Sequence, residues 1–276
     1  MGAQAFRYDG KRVLVVGGAT GMGRATAELL LDLGAQVVVM DFANIALDGV
    51  TKIALDLRDR KSIDAAIDEC GGPLHAIFSC AGAADPTPGI ERINFVGHRH
   101  LIDRAVARGY IGRGGAIGMI ASSAGLGWEA QLELINTLLD IPDFDGAVEW
   151  FDTHDNTKNY LFTKRVMSQY VARECVRFLN QGIRINAILP GPTDTPLAQA
   201  NKEMWLDFGS DFRDAAGVGA STPAEQAHPL AFLCSDAASY INGATLITDA
   251  GWYAAGLSGG FPAATPAAQF LAGRFG

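Results

Sequence analysis

Tyr160 and Lys164 stand four residues apart in Tyr160-Leu161-Phe162-Thr163-Lys164, a spacing that puts both side chains on one face of a helix. A phenol beside a fixed cation can exchange a proton at ordinary pH, because the cation stabilises the phenolate and draws its pKa down from about 10. Hydride transfer to or from a carbinol carbon needs such a group, since a proton must leave or reach the oxygen. On an exposed helix the same pair would be a solvent-facing Tyr and Lys, so its meaning depends on what else the chain carries.

The strongest companion is Val16-Gly17-Gly18-Ala19-Thr20-Gly21-Met22-Gly23. It follows the apolar run Lys11 to Val16, which reads as a buried parallel strand, and precedes helical periodicity from Ala25 to Leu33. Glycines between a strand and a helix permit a tight turn, let the backbone approach a pyrophosphate, and aim the helix N-terminus at its charge. Gly17, Thr20, Gly21, Met22 and Gly23 are therefore expected to hold a dinucleotide. Asp41 ends the next strand, Gln36 to Met40, about 20 residues further on, where a carboxylate can accept hydrogen bonds from both adenosine ribose hydroxyls and would repel a 2′-phosphate. The positions where a basic residue would favour NADP hold Thr20 and Phe42. NAD is the expected cofactor.

The elements that must position these groups alternate. Strands are expected at Ile53 to Leu55, His75 to Ser79, Gly115 to Ala121, Ile183 to Leu189 and Thr245 to Thr248. Helices are expected at Ser62 to Glu69, with Ser62 as cap, at Ile90 to Ala107, and from Tyr160 to Leu179. This pattern predicts a single α/β domain over residues 1–276, a Rossmann-like doubly wound parallel sheet with helices on both faces. A helical insertion spans about 126–159, ahead of Tyr160. The tail, about 257–276, is rich in Gly, Ala and Pro, and is expected to be loosely ordered or docked on a neighbouring subunit.

Composition narrows the function classes. The chain has 276 residues, 49% hydrophobic and 19% charged, enough for a sizeable core. A formal net charge of -8 argues against nucleic acid or an acidic membrane surface as partner. Cys70, Cys80, Cys175 and Cys234 are scattered and expected to be free thiols. His98 and His100 point to different helix faces at i and i+2, so no metal site is expected. With no membrane-length apolar run and no basic-then-apolar leader, the expectation is a soluble cytoplasmic protein.

The glycine spacing here, G-x-x-x-G-x-G, resembles the turn of the short-chain dehydrogenase/reductase family, with Val16 in place of the family's usual Thr. In that family's order there follow Asp41, an Ala-Gly strand end, an Asn, a Ser, the Tyr-Lys pair and a Pro-Gly loop, along nearly the whole chain. The resemblance implies further site residues. Asp56 and Leu57 match the pair that meets the adenine. Cys80, Ala81 and Gly82 lie in Ser79-Cys80-Ala81-Gly82, where the family usually writes N-N-A-G. Pro190, Gly191, Thr193 and Thr195 match the segment that holds the nicotinamide and its carboxamide. Ser122 matches the serine that hydrogen-bonds the substrate oxygen, with Ser123 an open alternative. Asn94 matches the helix Asn that holds a water in a proton relay with the lysine. Tyr160 and Lys164 would also contact the nicotinamide ribose.

Far more chain separates Ser122 from Tyr160 than the family's usual dozen or so residues. Two apolar sets fill it: Leu132, Leu134, Ile135, Leu138 and Leu139, then Phe144, Val148, Trp150 and Phe151. They are expected either to pack the insertion onto the body or to form a lid over a hydrophobic substrate, with Trp128 joining Ser122 and Tyr160 at that substrate. The segment Trp128 to Leu134 resembles the subgroup of the family containing hydroxysteroid dehydrogenase/carbonyl reductases and coniferyl alcohol dehydrogenases. This implies a hydroxysteroid or an aryl or allylic alcohol as substrate and a homo-oligomer, dimer or tetramer. A non-catalytic NAD-binding regulator, or an enoyl reductase or epimerase on the same fold, are the competing readings.

Overall fold

The apolar β-branched runs form the strands that their composition suggests. In the computed structural model, which describes residues 2–274, β1 (Arg12–Val16), β2 (Gln36–Asp41), β3 (Thr51–Ala54), β4 (Leu74–Ser79), β5 (Ile111–Ile120), β6 (Arg184–Pro190) and β7 (Thr245–Thr248) lie in one sheet. Among the described residues it has seven strands in the order β3-β2-β1-β4-β5-β6-β7. Every pairing is parallel, with Val13 opposite Val37 on one side and Ala76 on the other. Parallel strands are covered on both faces, which is why Val13 to Val16 are all buried.

The covering helices divide by face. α1 (Gly21–Asp32) and α10 (Pro223–Cys234) bury Leu30, Leu230 and Leu233 against Val15 and Phe78. α2 (Arg60–Cys70), α3 (Gly97–Ala107) and α6 (Tyr160–Asn180) bury Ile63, Leu101 and Val166 on the opposite face, against Ile77 and Ile117. Between β6 and α10 lie the short α7 (Pro196–Gln199), α8 (Lys202–Trp205) and α9 (Ser210–Ala216). This is the Rossmann-like α/β fold expected from the alternation.

Three local expectations need correction. α1 begins at the glycines themselves, before Ala25. α2 is capped by Asp59, whose carboxylate accepts from the Lys61 N–H. Ser62 instead accepts from the Asp56 N–H at 2.9 Å and so fixes the turn after β3. The tail, described to residue 274, is not loose. It forms α11 (Trp252–Ser258) and α12 (Thr265–Leu271), which bury Trp252, Ala264, Ala268 and Leu271 against Leu126, Leu161 and Phe208 of the same chain.

The insertion folds as its two apolar sets suggest. They become α4 (Leu132–Leu139) and α5 (Phe144–Thr153), the second capped by Asp143, which accepts from the Gly146 N–H at 2.9 Å. Ile135, Leu138, Trp150 and Phe151 are buried in the same cluster as Phe162 and Tyr170 of α6. Gln169 of α6 donates to the Leu132 carbonyl and to Asn136. Packing onto the body is thus the reading that holds for these helices.

Candidate active site

The sheet reverses its winding between β1 and β4, and ligands of open α/β sheets bind outside the strand ends at such a switch point. Here the two strand-end loops touch. A Cβ on Gly17, whose φ is +86°, would overlap the Ala81 backbone, and one on Gly23 would overlap the Gly17 carbonyl. Thr20 stands at the N-cap of α1 yet makes no side-chain cap bond, so the first N–H groups of the helix remain free to meet an anion. Asp41 is held at the end of β2, its carboxylate accepting from Ala19 N–H at 2.9 Å and Ala43 N–H at 2.8 Å. Its remaining lone pairs can receive two hydroxyls. A closely packed glycine cradle, an uncapped helix end and a fixed carboxylate together fit a dinucleotide.

A cleft of about 770 Å³ runs from this cradle to the N-terminus of α6. Asn159 caps that helix by accepting from Phe162 N–H at 2.9 Å, which makes Tyr160 its first residue. The Asp85 carboxylate, from the loop after β4, accepts the Tyr160 N–H with both oxygens at 3.1 Å. Ser122 lies beside the Tyr160 phenol, near enough for its hydroxyl to favour the phenolate. Ser122 accepts from Ala124 N–H at 3.1 Å and so is fixed in place.

Lys164 lies one turn along, buried, its ammonium 5.6 Å from the Tyr160 ring centre and donating to the Ile120 carbonyl at 2.9 Å. Burial lowers its pKa to about 8. The phenol moves the other way from expectation. Burial pushes Tyr160 up to about 12, helped by the Asp85 charge and opposed by the Ser122 hydroxyl. Burial, not the neighbouring cation, dominates the tyrosine in the protein alone.

Asn94 sits behind the cleft in a π-helical turn, Arg92–Val96, that opens α3. It donates to Ala83 O and Thr163 Oγ1, each at 3.1 Å, and accepts from Ala83 N–H at 2.8 Å. Its Oδ1 and the Lys164 ammonium both lie 3.6 Å from where a Cβ on Gly82 would stand. His98, one turn after Asn94, is fully buried and bonds the Ala81 carbonyl at 3.0 Å. Desolvation lowers its pKa to about 4, so the ring is neutral. Thr193 donates to Gly191 O at 3.0 Å; Thr195 caps α7, accepting from Ala198 N–H at 3.1 Å.

The cleft brings together Gly17, Thr20, Gly21, Met22, Gly23, Asp41, Asp56 and Leu57. It also gathers Cys80, Ala81, Gly82, Ser122, Tyr160, Lys164, Pro190, Gly191, Thr193 and Thr195. Asp56 is already engaged, its carboxylate taking the Arg58 guanidinium at 2.8 Å. Trp128 is corrected: it packs half-buried against the core and does not line the cleft, and neither does any other residue of 126–159. The lid reading of the insertion falls with it. The apolar wall beside Tyr160 comes from residues that sequence reasoning missed, Leu161, Leu197, Met204, Trp205, Phe270 and Leu271. The Trp205 ring lies 4.7 Å from the Tyr160 ring, centre to centre. Four-residue helices carry no periodic signal, so nothing but the apolar types at Leu197, Met204 and Trp205 could have hinted at them. Among the described residues there is no cluster of His, Cys, Asp and Glu able to hold a metal, and no helix long and apolar enough to cross a membrane.

A family model described as short chain dehydrogenase matches residues 11–132, and one described as Enoyl-(Acyl carrier protein) reductase matches 149–253. The chain is 29% identical over 259 residues to a coniferyl-alcohol dehydrogenase of Pseudomonas sp. (strain HR199 / DSM 7063), covering 89% of this chain and 98% of that protein. It is 26% identical over 247 residues to a 3-alpha-hydroxysteroid dehydrogenase/carbonyl reductase of Comamonas testosteroni, covering 87% and 95%. Among solved structures, the 3-alpha-hydroxysteroid dehydrogenase from Pseudomonas sp. B-0831, complexed with NADH, superposes with a TM-score of 0.70 at 26% identity, covering 87% of this chain and 95% of that one. With matches along nearly its whole length, a seven-stranded parallel sheet in the matching fold and the Ser-Tyr-Lys cluster at its strand ends, the chain belongs to the short-chain dehydrogenase/reductase family of oxidoreductases.

Proposed function

We propose that the protein is an NAD-dependent dehydrogenase that interconverts a hydrophobic alcohol and its carbonyl compound. The observation that carries the reading is one continuous cleft with a glycine cradle at one end and, at the other, Tyr160 and Ser122 side by side with Lys164 buried alongside. A regulator on this fold would have no need of that second end.

The cradle of Gly17, Thr20, Gly21, Met22 and Gly23 would hold the pyrophosphate, and Asp41 the adenosine ribose. Asp56, Leu57 and the Cys80–Gly82 strand end would flank the adenine side and the sheet edge. Lys164 would hold the nicotinamide ribose, and the Pro190–Thr195 loop the carboxamide. When bound, the dinucleotide supplies the hydride acceptor for oxidation and the donor for reduction. Ser122 then holds the substrate oxygen, which fixes its distance from Tyr160. Tyr160 gives its proton to that oxygen in reduction and takes one from it in oxidation. With burial holding the phenol protonated, Tyr160 is ready as an acid, and oxidation gains as pH rises. Asn94, held by Ala83 and Thr163 beside Lys164, closes the proton path on the far side.

NAD is favoured because Asp41 has no cationic partner among the described residues, so its charge stands open to a 2′-phosphate. The nearby Arg58 is paired with Asp56 and lies over Phe42, 5.0 Å from its ring centre. Names of the relatives support an alcohol carried on a ring or an aryl chain. The test is reduction of NAD, then of NADP, over a panel of hydroxysteroids and aryl alcohols. NADH should form with at least one of them, with NAD preferred by at least about tenfold, or about 1.4 kcal/mol. No reduced nicotinamide with any alcohol would remove the reading, and a preference for NADP would overturn the role of Asp41.

A further inference from the structure

The tail reaches the cleft, whereas the insertion that precedes Tyr160 does not. Phe270 and Leu271 of α12 line it on the same side as Leu161, Met204 and Trp205. Leu271 is 8% exposed and belongs to a buried cluster with Trp252, Ala264 and Ala268, packed on Leu126 and Leu161. Leu161 follows Tyr160 directly, so the wall is anchored on the reacting end of α6. A second anchor is backbone on backbone. A Cβ on Gly127, φ +67°, would stand 2.6 Å from the Ala272 carbonyl carbon, and one on Gly273, φ +69°, 2.7 Å from Ala130 Cβ. The first turn of the insertion thus holds the turn that follows α12.

We propose that α12 is the specificity element of this enzyme, a fixed wall that holds the aromatic ring of an aryl alcohol against Leu271, Phe270 and Trp205. The insertion contributes to specificity only by latching that wall through Gly127 and Gly273. The proposal rests on the alcohol dehydrogenase reading above and deepens it. Aromatic faces and a thioether line this side: Trp205, Phe208, Phe270 and Met204. Rings of this kind favour a planar ring by offset and edge contacts, and sulfur adds to them. A saturated ring offers none of that beyond its apolar area.

The test uses the full chain with NAD, and three variants: Phe270→Ala, Leu271→Ala and Gly127→Ala. Cinnamyl alcohol is compared with cyclohexanol. Phe270→Ala should lower kcat/KM for cinnamyl alcohol at least about tenfold and that for cyclohexanol several-fold less, whereas Leu271→Ala and Gly127→Ala, which remove apolar area or displace the wall, should lower both. Phe270 is half exposed, 49%, so Phe270→Ala reports on the wall even if Leu271→Ala loosens the tail. Equal losses for both alcohols in Phe270→Ala, or no loss for cinnamyl alcohol in the three variants, would overturn the proposal. Calorimetry of cinnamyl alcohol binding to the chain loaded with NADH separates the two readings. If the wild type oxidises no alcohol, the reaction falls; weaker binding in the variants would then still support the wall, and unchanged binding would overturn it.

Discussion

The insertion at 126–159 and the tail at 252–274 both flank α6 and do opposite things. The insertion is adjacent in sequence to Ser122 and Tyr160, yet α4 and α5 lie on the far side of α6 and line none of the cleft. The tail is over 90 residues beyond Tyr160 in sequence, and it supplies Phe270 and Leu271 to the cleft wall. The lesson is that the direction of a helix face outranks proximity along the chain. α6 leads into the cleft at Tyr160 and turns Phe162, Val166 and Tyr170 away from it, and the insertion follows those apolar residues.

That contrast can be broken by variants on the insertion side. Leu138 is fully buried, so Leu138→Ala should cost about 2–5 kcal/mol of stability while leaving the ratio of kcat/KM between cinnamyl alcohol and cyclohexanol unchanged. Chemical denaturation and paired kinetics check it; an altered ratio would mean that α4 reaches the substrate after all.

Acid stability sharpens the contrast, because His98 lies on the face of the sheet that the insertion covers. Its pKa is lowered to about 4 by burial, below the usual 6.5, with the Lys164 charge in the same sense. The neutral ring therefore stabilises the fold fully above pH 6.5, and that stability is lost as pH falls through 4, by up to about 3 kcal/mol. His98→Gln should lose less stability than the wild type between pH 6.5 and 4, measured by urea midpoints. Parallel losses would show that the buried ring carries none of the effect.

The smallest effect belongs to Asp85, at the mouth of the cleft. Its charge helps hold Tyr160 up, so Asp85→Asn should lower the phenol pKa. The rising limb of kcat/KM for alcohol oxidation would then move to lower pH, by under about one unit. A limb that moves upward or stays fixed contradicts that electrostatic role.

The parts of this molecule that could be read from sequence are those whose signals are local. β1, β2 and β4 are short β-branched or apolar runs, and the glycines after β1 have a backbone reason to be glycine, as the Gly17 contact with Ala81 shows. α4 and α5 announced themselves by apolar spacing. The apolar wall of the cleft did not. α7 and α8 have four residues each, too short for any period to appear. The Gly and Ala content of the tail reads as looseness, but the small residues allow close packing. A Cβ on Gly256 would stand 2.7 Å from that of Ala268. Ser62 and Asp59 are both competent caps, and only the turn at Asp56 decides between them. The rise in the Tyr160 pKa comes from burial, which no spacing of Tyr and Lys reveals.

The central claim is that Tyr160 carries the proton for alcohol oxidation in this cleft. The most direct measurement is steady-state NADH formation from an aryl alcohol by the wild type and by Tyr160→Phe, with NADH affinity of both followed by fluorescence. Turnover should fall by about 10²–10⁴-fold, the range of general acid–base catalysis, while NADH affinity stays within about twofold. Turnover within tenfold of the wild type would contradict the account.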